Sequence, residues 1–487
     1  MLRQFIKDSS TYSFSNLLVR GISVLLVPFY TRVFTPSDYG IIDLLAILGA
    51  IVSMVFPLQI SQGVSRFFPD TKKKEVAISY SSTALIFTII SYSIFVLISF
   101  TFSEIIAKYV LGDVSLIKIL RIASLGIFTN GLFYFVQNQL RWMLMPKKQA
   151  ITSFITSLFT INFTIIFVLV FKIGVYGVFW AQVIGGLIGF LIGYYYSRVS
   201  YNWKFDLKKF KEMLSYCLPL VPSGISIFIM TYIDRITINK MMTLQDLGLY
   251  GVGYRVSSIV TLLMMGFQGA ITPLIFTRYK EPSTPLEIAR IFRYFVFGAL
   301  IMLLSISIFS AEILKLITTP AYYPASIIIP FLLISTFLSG MYVFAPGIDI
   351  AKKTKYSAII FTFGAGINLS VNLFLIPVIG ILGTSISAMT SSMCVFTLMM
   401  LFSQKYYTVP HKFGRLILSC IFTFIMIYAG FNLEISSKII LICAKFGIIL
   451  TLLLLLIYLK IISFEEVKHY LSLINIKYKK KFKLNKI

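Results

Sequence analysis

The stretch YSAIIFTFGAGINLSVNLFLIPVIGILGTSISAMTSSMCVFTLMMLFSQ, residues 356–404, contains no charged side chain. As a single helix it would be more than about 70 Å long, roughly twice the hydrocarbon thickness of a bilayer. It must fold back on itself, and PVIG at 377–380 supplies the turn signal. Two membrane-spanning helices joined by a tight corner are therefore expected.

Working outward, other uncharged windows long enough to span recur at 122–140, 149–171, 173–197 and 256–277. The spacing of such windows predicts about fourteen spans, each needing about 20 mostly apolar residues. The composition agrees. Of 487 residues 58% are hydrophobic and only 13% charged, against about 25% charged in soluble domains. The fold class expected is an all-α, polytopic membrane protein.

The net charge of +26 raises nucleic-acid binding, and the distribution of charge excludes it. Basic residues fall in short clusters between spans rather than on one face of a soluble domain. Lys72, Lys73 and Lys74, then Arg141, Lys147 and Lys148, then Lys204, Lys208, Lys209 and Lys211 occupy alternate loops. Arg278, Lys280, Lys352, Lys353, Lys355, Lys405, Lys412 and Arg415 continue the series. The intervening loops hold one or two bases each, such as Lys108, Lys172, Lys240 and Lys315. By the positive-inside rule both termini are expected in the cytoplasm. The opening residues carry no small-residue cleavage site, so the first apolar stretch reads as a retained span.

Two halves of the chain resemble each other. VRGISVLLVPFYTR (19–32) lies over PSGISIFIMTYIDR (222–235), and PKKQAITSF (146–154) over AKKTKYSAI (351–359). Asn162 pairs with Asn368, Gly174 with Gly380, and Gly177 with Gly383 at a shared offset. A repeat holding six spans keeps the same orientation in both copies, a transporter pattern with the substrate path between lobes. The expected division is a first lobe at 1–201, a second at 202–403, two extra spans at 404–462, and a basic tail at 463–487 lying against headgroups or in water. Gly185, Gly189 and Gly193, like Gly383, Ser387 and Ser391, are spaced for close helix packing.

Several chemistries lack their residues. Cys217, Cys394, Cys420 and Cys443 are scattered without a C-x-x-C pair, and His411 and His469 stand alone; neither a metal site nor a disulfide framework is indicated. No P-loop sequence occurs, and the short loops leave no room for a soluble catalytic domain. A membrane glycosyltransferase, polymerase or ligase is disfavoured for the same reason. No cofactor is expected, and energy must come from an ion gradient or from the substrate's own.

The charges that interrupt spans are the candidate site. Arg20 breaks the first span, Arg255 lies well inside the eighth, Arg32 and Arg235 hold matching positions in the repeat, and Arg66 closes the second span. An intramembrane arginine normally faces a partner or a water-filled cavity. Its fork of donors suits a phosphate, so these arginines form either an anion site or structural and headgroup pairs. Asp43, Asp234 and Asp349 are the acidic counterparts, and sodium or proton coupling is open to them. Asp234 is either paired with its neighbour Arg235 or part of an ion site.

YTRVFTPSDYGIIDLL (30–45), QISQGVSRFF (59–68), MPKKQA (145–150), YIDRITINKMM (232–242) and GLYGVGYRVSSI (248–259) resemble the polysaccharide-export flippases of bacterial envelopes. These belong to the multidrug/oligosaccharidyl-lipid/polysaccharide exporter superfamily, which includes lipid II flippases and MATE antiporters. The resemblance implies a V-shaped pair of six-helix lobes plus two terminal helices, working by alternating access. It implies an undecaprenyl-pyrophosphate-linked oligosaccharide as substrate, for O-antigen, capsule or exopolysaccharide assembly, with a polymerase or ligase acting afterwards. It places Arg20, Arg66 and Arg255 in the cavity, Arg32 and Arg235 at its outer rim, and the lipid tail in a groove of the terminal spans. Asp43 and Asp234 depart from a purely basic cavity and keep cation antiport as the alternative, beside lipid II export.

Overall fold

The long uncharged stretch reverses at Gly380, as the PVIG signal predicts. Gly380 stands at φ +59°, ψ −138°, a conformation that only glycine adopts without strain. Gly174 has the same geometry, φ +60°, ψ −140°, at the matching corner of the first half. The computed structural model describes residues 26–461, apart from 71–72, 262–263, 265–267, 269–270, 272–274, 276–277, 352, 412, 434 and 460.

Among the described residues every regular element is helical. The principal helices are α1 (Val27–Val33), α2 (Pro36–Val55), α3 (Ile60–Asp70), α4 (Lys74–Thr101), α5 (Ile117–Trp142), α6 (Pro146–Ile165), α7 (Val175–Ser197) and α8 (Leu207–Cys217). They continue as α9 (Leu220–Met241), α10 (Leu244–Ser257), α11 (Thr284–Ile308), α12 (Ser310–Ile317), α13 (Ile329–Gly340), α14 (Thr354–Ile379), α15 (Ile381–Tyr406), α16 (Phe413–Phe431) and α17 (Lys438–Tyr458). Among the described residues 12 helices are long and apolar enough to cross a membrane. α1 and α10 are the described parts of two further apolar stretches, which agrees with about fourteen spans. Since successive spans run in opposite directions, one face of the bundle gathers the basic loops and the other the sparsely charged ones.

The two halves use the same local devices. Thr35 caps α2, accepting from the Asp38 amide at 3.2 Å while the Asp38 carboxylate accepts from the Thr35 amide at 3.0 Å. Thr243 and Asp246 repeat this reciprocal cap on α10. The starts of α2 and α10 then cross in contact. A side chain on Gly40 would overlap the Leu244 carbonyl, and one on Gly248 the Pro36 carbonyl. α7 packs against both α5 and α6, and α15 against both α13 and α14. Gly185 and Gly189 meet Thr160 and Thr156 of α6, and Gly193 meets Val136 of α5. Ser387 and Ser391 donate to the carbonyls of Asn368 and Gly364 in α14. The small-residue rows are packing seams, as their spacing predicts.

One set of direct polar contacts between first and second half lies at the sparsely charged face. The Tyr322 hydroxyl donates to the Phe34 carbonyl (2.9 Å), Thr319 to the Thr31 carbonyl (3.2 Å) and Thr31 to the Ile317 carbonyl (3.1 Å). Asn239 and Lys240 at the end of α9 donate to the carbonyls of Val110 (2.9 Å) and Tyr109 (2.7 Å). On the basic face the link between halves is α8, docked on α3 and α4.

Candidate functional site

The intramembrane charges meet where α2, α9, α10 and α14 converge. Arg235 Nε donates to Asp43 Oδ2 at 2.7 Å, across the two halves. Both residues are buried, at 5% and 8% exposure. The guanidinium also lies 4.2 Å from the ring centre of Tyr254, 5.6 Å from that of Tyr232 and 5.7 Å from that of Tyr250, so its charge is met by a carboxylate and three π faces.

Asp234 points elsewhere, because neighbours on a helix are about 100° apart. It forms no ion pair with Arg235. Its Oδ2 accepts from the Tyr250 hydroxyl (2.8 Å) and its Oδ1 from Asn372 Nδ2 (3.1 Å). Asn372 Nδ2 also donates to Asn368 Oδ1 (2.6 Å). Asn372 Oδ1, and Thr384 Oγ1 on α15, are buried acceptors without a partner.

A cavity of about 500 Å³ opens beside this cluster, lined in part by Asp234, Tyr254, Gln268, Ser335, Asn368 and Ser391. Several hydroxyl protons of its wall are already spent. Thr231, Thr261 and Thr336 donate to backbone carbonyls of their own helices, and Ser391 to Gly364. Among the described residues the wall presents lone pairs, one carboxylate and the amides of Gln268 and Asn368, and no base lines it. Such a surface suits a hydrated hard cation and not a phosphate. No cluster of three or more His, Cys, Asp or Glu occurs among the described residues.

The other sequence candidates are dispersed. Arg255 is half-buried on α10, its guanidinium 4.7 Å from the ring centre of Tyr39. It has no acidic partner among the described residues. Arg255 lies 11 residues beyond Leu244, about 16 Å into the bundle. Arg32 is exposed at the sparsely charged face; Arg66 is exposed on α3 at the basic face. Asp349 is exposed at the basic face, far along the chain direction from the Asp43 and Asp234 level, so the three acids do not form one site. Asp43 is the counter-charge of Arg235 here, which places it in a pair rather than free for an ion. Arg20 lies outside the described residues.

Sequence reasoning missed Tyr250, Asn368 and Asn372, and also a second ion pair. Lys445 of α17 reaches Glu312 of α12 at 2.5 Å and is itself buried. Lys445 interrupts an otherwise uncharged stretch, the signal that singled out Arg255. The amides carried no such signal, since Asn368 registered only as a repeat marker.

The described residues thus form an all-helical bundle whose two halves meet at the sparsely charged face, with charged pairs and a polar cavity inside it. In fold the chain resembles the lipid II flippase MurJ in its inward closed conformation, with a TM-score of 0.70, 15% identity, and coverage of 91% of this chain and 97% of that one. It also resembles an inward-facing multidrug resistance MATE family transporter of the MOP superfamily, with a TM-score of 0.66 at 15% identity, covering 80% and 97%. Residues 29–326 match the family described as polysaccharide biosynthesis protein. That is more than half the chain, and the protein belongs to this family. It is similar to an uncharacterized membrane protein of Methanocaldococcus jannaschii, 23% identical over 411 residues, 80% of this chain and 95% of that one. It is also similar to the Lsg locus putative protein 1 of Haemophilus influenzae, 22% identical over 305 residues, 61% and 71%.

Proposed function

We propose that this protein exports a polyprenyl-linked oligosaccharide, joined through pyrophosphate to undecaprenol, from the inner to the outer leaflet of a bacterial inner membrane. Its two lobes, 1–201 and 202–403, rock against each other, with both termini in the cytoplasm. The observation that carries this reading is Arg255, an arginine deep in the bundle that has only an aromatic face beside it and no acidic partner among the described residues. An unneutralised guanidinium at that depth needs an anion or water, and a pyrophosphate supplies the anion. Arg20 and Arg66 are assigned to the same path. Arg32 and Arg235 are assigned to the outer rim, where Arg235 becomes available only after its pair with Asp43 opens.

The lipid tail has an apolar route. A cavity of about 370 Å³ lies where α16 meets α11, α13 and α15, with Phe337, Phe396 and Phe424 in its wall. The hydroxyls of Thr397 and Thr423, which also line it, donate to their own helix carbonyls, so no unsatisfied donor disfavours a hydrocarbon chain.

Asp234, with Asn368 and Asn372, is assigned to a coupling cation, sodium or a proton. The lone-pair-lined cavity beside it also favours a second reading, cation antiport. Complementation in a flippase-deleted bacterium separates the two. Wild type, Arg66→Ala and Arg255→Ala at equal expression are scored for surface glycan and for trapped lipid-linked precursor. Restoration by wild type with precursor trapped by Arg255→Ala supports export. Failure of wild type to clear precursor, together with efflux of organic cations, replaces it by antiport.

A further inference from the structure

The inter-lobe linker, residues 198–217, carries features that the transport cycle does not use. Its backbone is pinned to α4 at two points: the Asn202 amide donates to Ser82 Oγ (2.8 Å) and the Asp206 amide to Thr83 Oγ1 (3.0 Å). Between these anchors the chain bows outward. Trp203 stands at φ +55°, a left-handed conformation costly for a bulky residue. Its indole NH is satisfied by the Tyr194 hydroxyl at 2.7 Å. Trp203, Phe205 and Leu207 are 55%, 44% and 58% exposed, a row of apolar side chains.

Four exposed bases, Arg198, Lys204, Lys208 and Lys211, border that row. None has an acidic partner among the described residues. The two acids of the segment are already engaged. Asp206 caps α8 through the amides of Lys208 and Lys209, and Glu212 is held by Lys209 at 3.0 Å and by the Tyr80 hydroxyl. The patch is thus apolar in its middle and cationic at its edge.

Its depth follows from α4. That helix has 28 residues, about 42 Å against a hydrocarbon core of about 30 Å. The far end of α4 continues into exposed Phe102, Glu104 and Ile105, whereas the near end carries Lys73, Lys74 and Glu75. With three charges at the near end and one at the far end, most of the excess length stands outside the hydrocarbon at the near end. Ser82 is eight residues from Lys74, about 12 Å along the helix, which sets the linker anchors at the hydrocarbon boundary. Tryptophan beside lysine at that level is the arrangement of an interfacial anchor.

We infer that this linker is a binding surface for anionic phospholipid headgroups, with Trp203, Phe205 and Leu207 seated among the upper acyl chains and Arg198, Lys204, Lys208 and Lys211 on the phosphates. It holds the connection between the lobes at the membrane surface while α9 pivots beyond Pro219.

The test uses full-length protein in nanodiscs of phosphatidylcholine with phosphatidylglycerol as the minor lipid. Trp142→Phe and Trp180→Phe leave Trp203 as the fluorophore; a companion protein retains only Trp180, in α7 toward the other face. Bromine is placed on the upper acyl chain of one lipid or the other, and quenching is measured. At Trp203, quenching by phosphatidylglycerol should exceed its mole fraction by about fivefold, the factor for about 1 kcal/mol of net attraction. At Trp180 it should match the mole fraction. The combination Lys204→Gln, Lys208→Gln and Lys211→Gln should return Trp203 to the mole fraction while quenching by total lipid persists. Quenching at Trp203 equal to mole fraction in the unaltered linker overturns the lipid preference. Absence of quenching by either lipid overturns membrane contact and makes the patch a protein-facing surface.

Discussion

Replacing Asp43 by Asn is the perturbation that most directly probes how the lobes are held together. In the structure Asp43 supplies the carboxylate for Arg235, at 2.7 Å and with both residues buried. The amide keeps the shape and one acceptor but removes the charge. Breaking a buried pair in this way leaves an uncompensated cation, at a cost of about 3–5 kcal/mol. The contacts to Tyr254 and Tyr250 return part of that, about 1–2 kcal/mol for a desolvated cation–π site. A net destabilisation of about 1–4 kcal/mol falls on the conformer in which α2 and α9 are apposed. It corresponds to a shift of roughly five- to several-hundredfold toward states with the lobes parted at the sparsely charged face. Spin labels at Val114→Cys and Leu316→Cys, on a background lacking the native cysteines, report the separation of the halves by pulsed dipolar spectroscopy. A longer-distance population should appear in Asp43→Asn and recede in the double variant Asp43→Asn, Arg235→Gln, where no buried charge is left alone. Identical distance distributions in all three proteins would refute the reasoning, since the pair would then not hold the closed state.

Gly248→Ala places a methyl against the Pro36 carbonyl and should cost about 1–3 kcal/mol, read as a lower melting temperature and as the same long-distance population. Tyr250→Phe removes the donor to Asp234 while keeping the ring near Arg235; sodium-dependent thermal stabilisation should change, and the spin-label distances without sodium should not. Glu312→Ala should destabilise more than Lys445→Met, because the first strands a buried ammonium and the second replaces it with a side chain of similar volume; melting curves decide the order. His411, in the loop between α15 and α16, is packed against Phe292 and Phe413, and burial lowers its pKa from the ordinary 6.5 to about 4. The unfolded chain takes up the proton first, so the stability is present above about pH 6.5 and lost as pH falls toward 4, amounting to about 3 kcal/mol. The melting temperature of wild type should drop between pH 7 and 5 by more than that of His411→Phe.

How far the sequence discloses this molecule depends on the distance over which a signal acts. The corner at Gly380 is a local matter of backbone sterics, and PVIG announces it. The caps at Thr35 and Thr243 are equally local, since each needs only an acid three residues on. The spans follow from apolar length alone. The pairing of Asp43 with Arg235 is not local; it depends on which faces of α2 and α9 meet when the halves close, and nothing between residues 43 and 235 encodes that distance. The same holds for Asn372, whose amide looks like any tolerated polar residue in an apolar helix until Asp234 is seen opposite it.

Adjacent placement of Asp234 and Arg235 nevertheless has a physical consequence that single-residue readings miss. The helical turn between them sends one charge toward α14 and the other toward α2, and Tyr250 touches both through different atoms. Its hydroxyl donates to the Asp234 carboxylate, while its ring lies in the field of the Arg235 guanidinium. A cation arriving at Asp234 competes for the lone pairs that Tyr250 and Asn372 now occupy, and any displacement of Tyr250 alters the setting of the pair that joins the lobes. On the proposed cation reading, the cavity and the inter-lobe contact form one network with a shared side chain, and occupancy of the first is expected to bias closure of the second without a separate pathway between them.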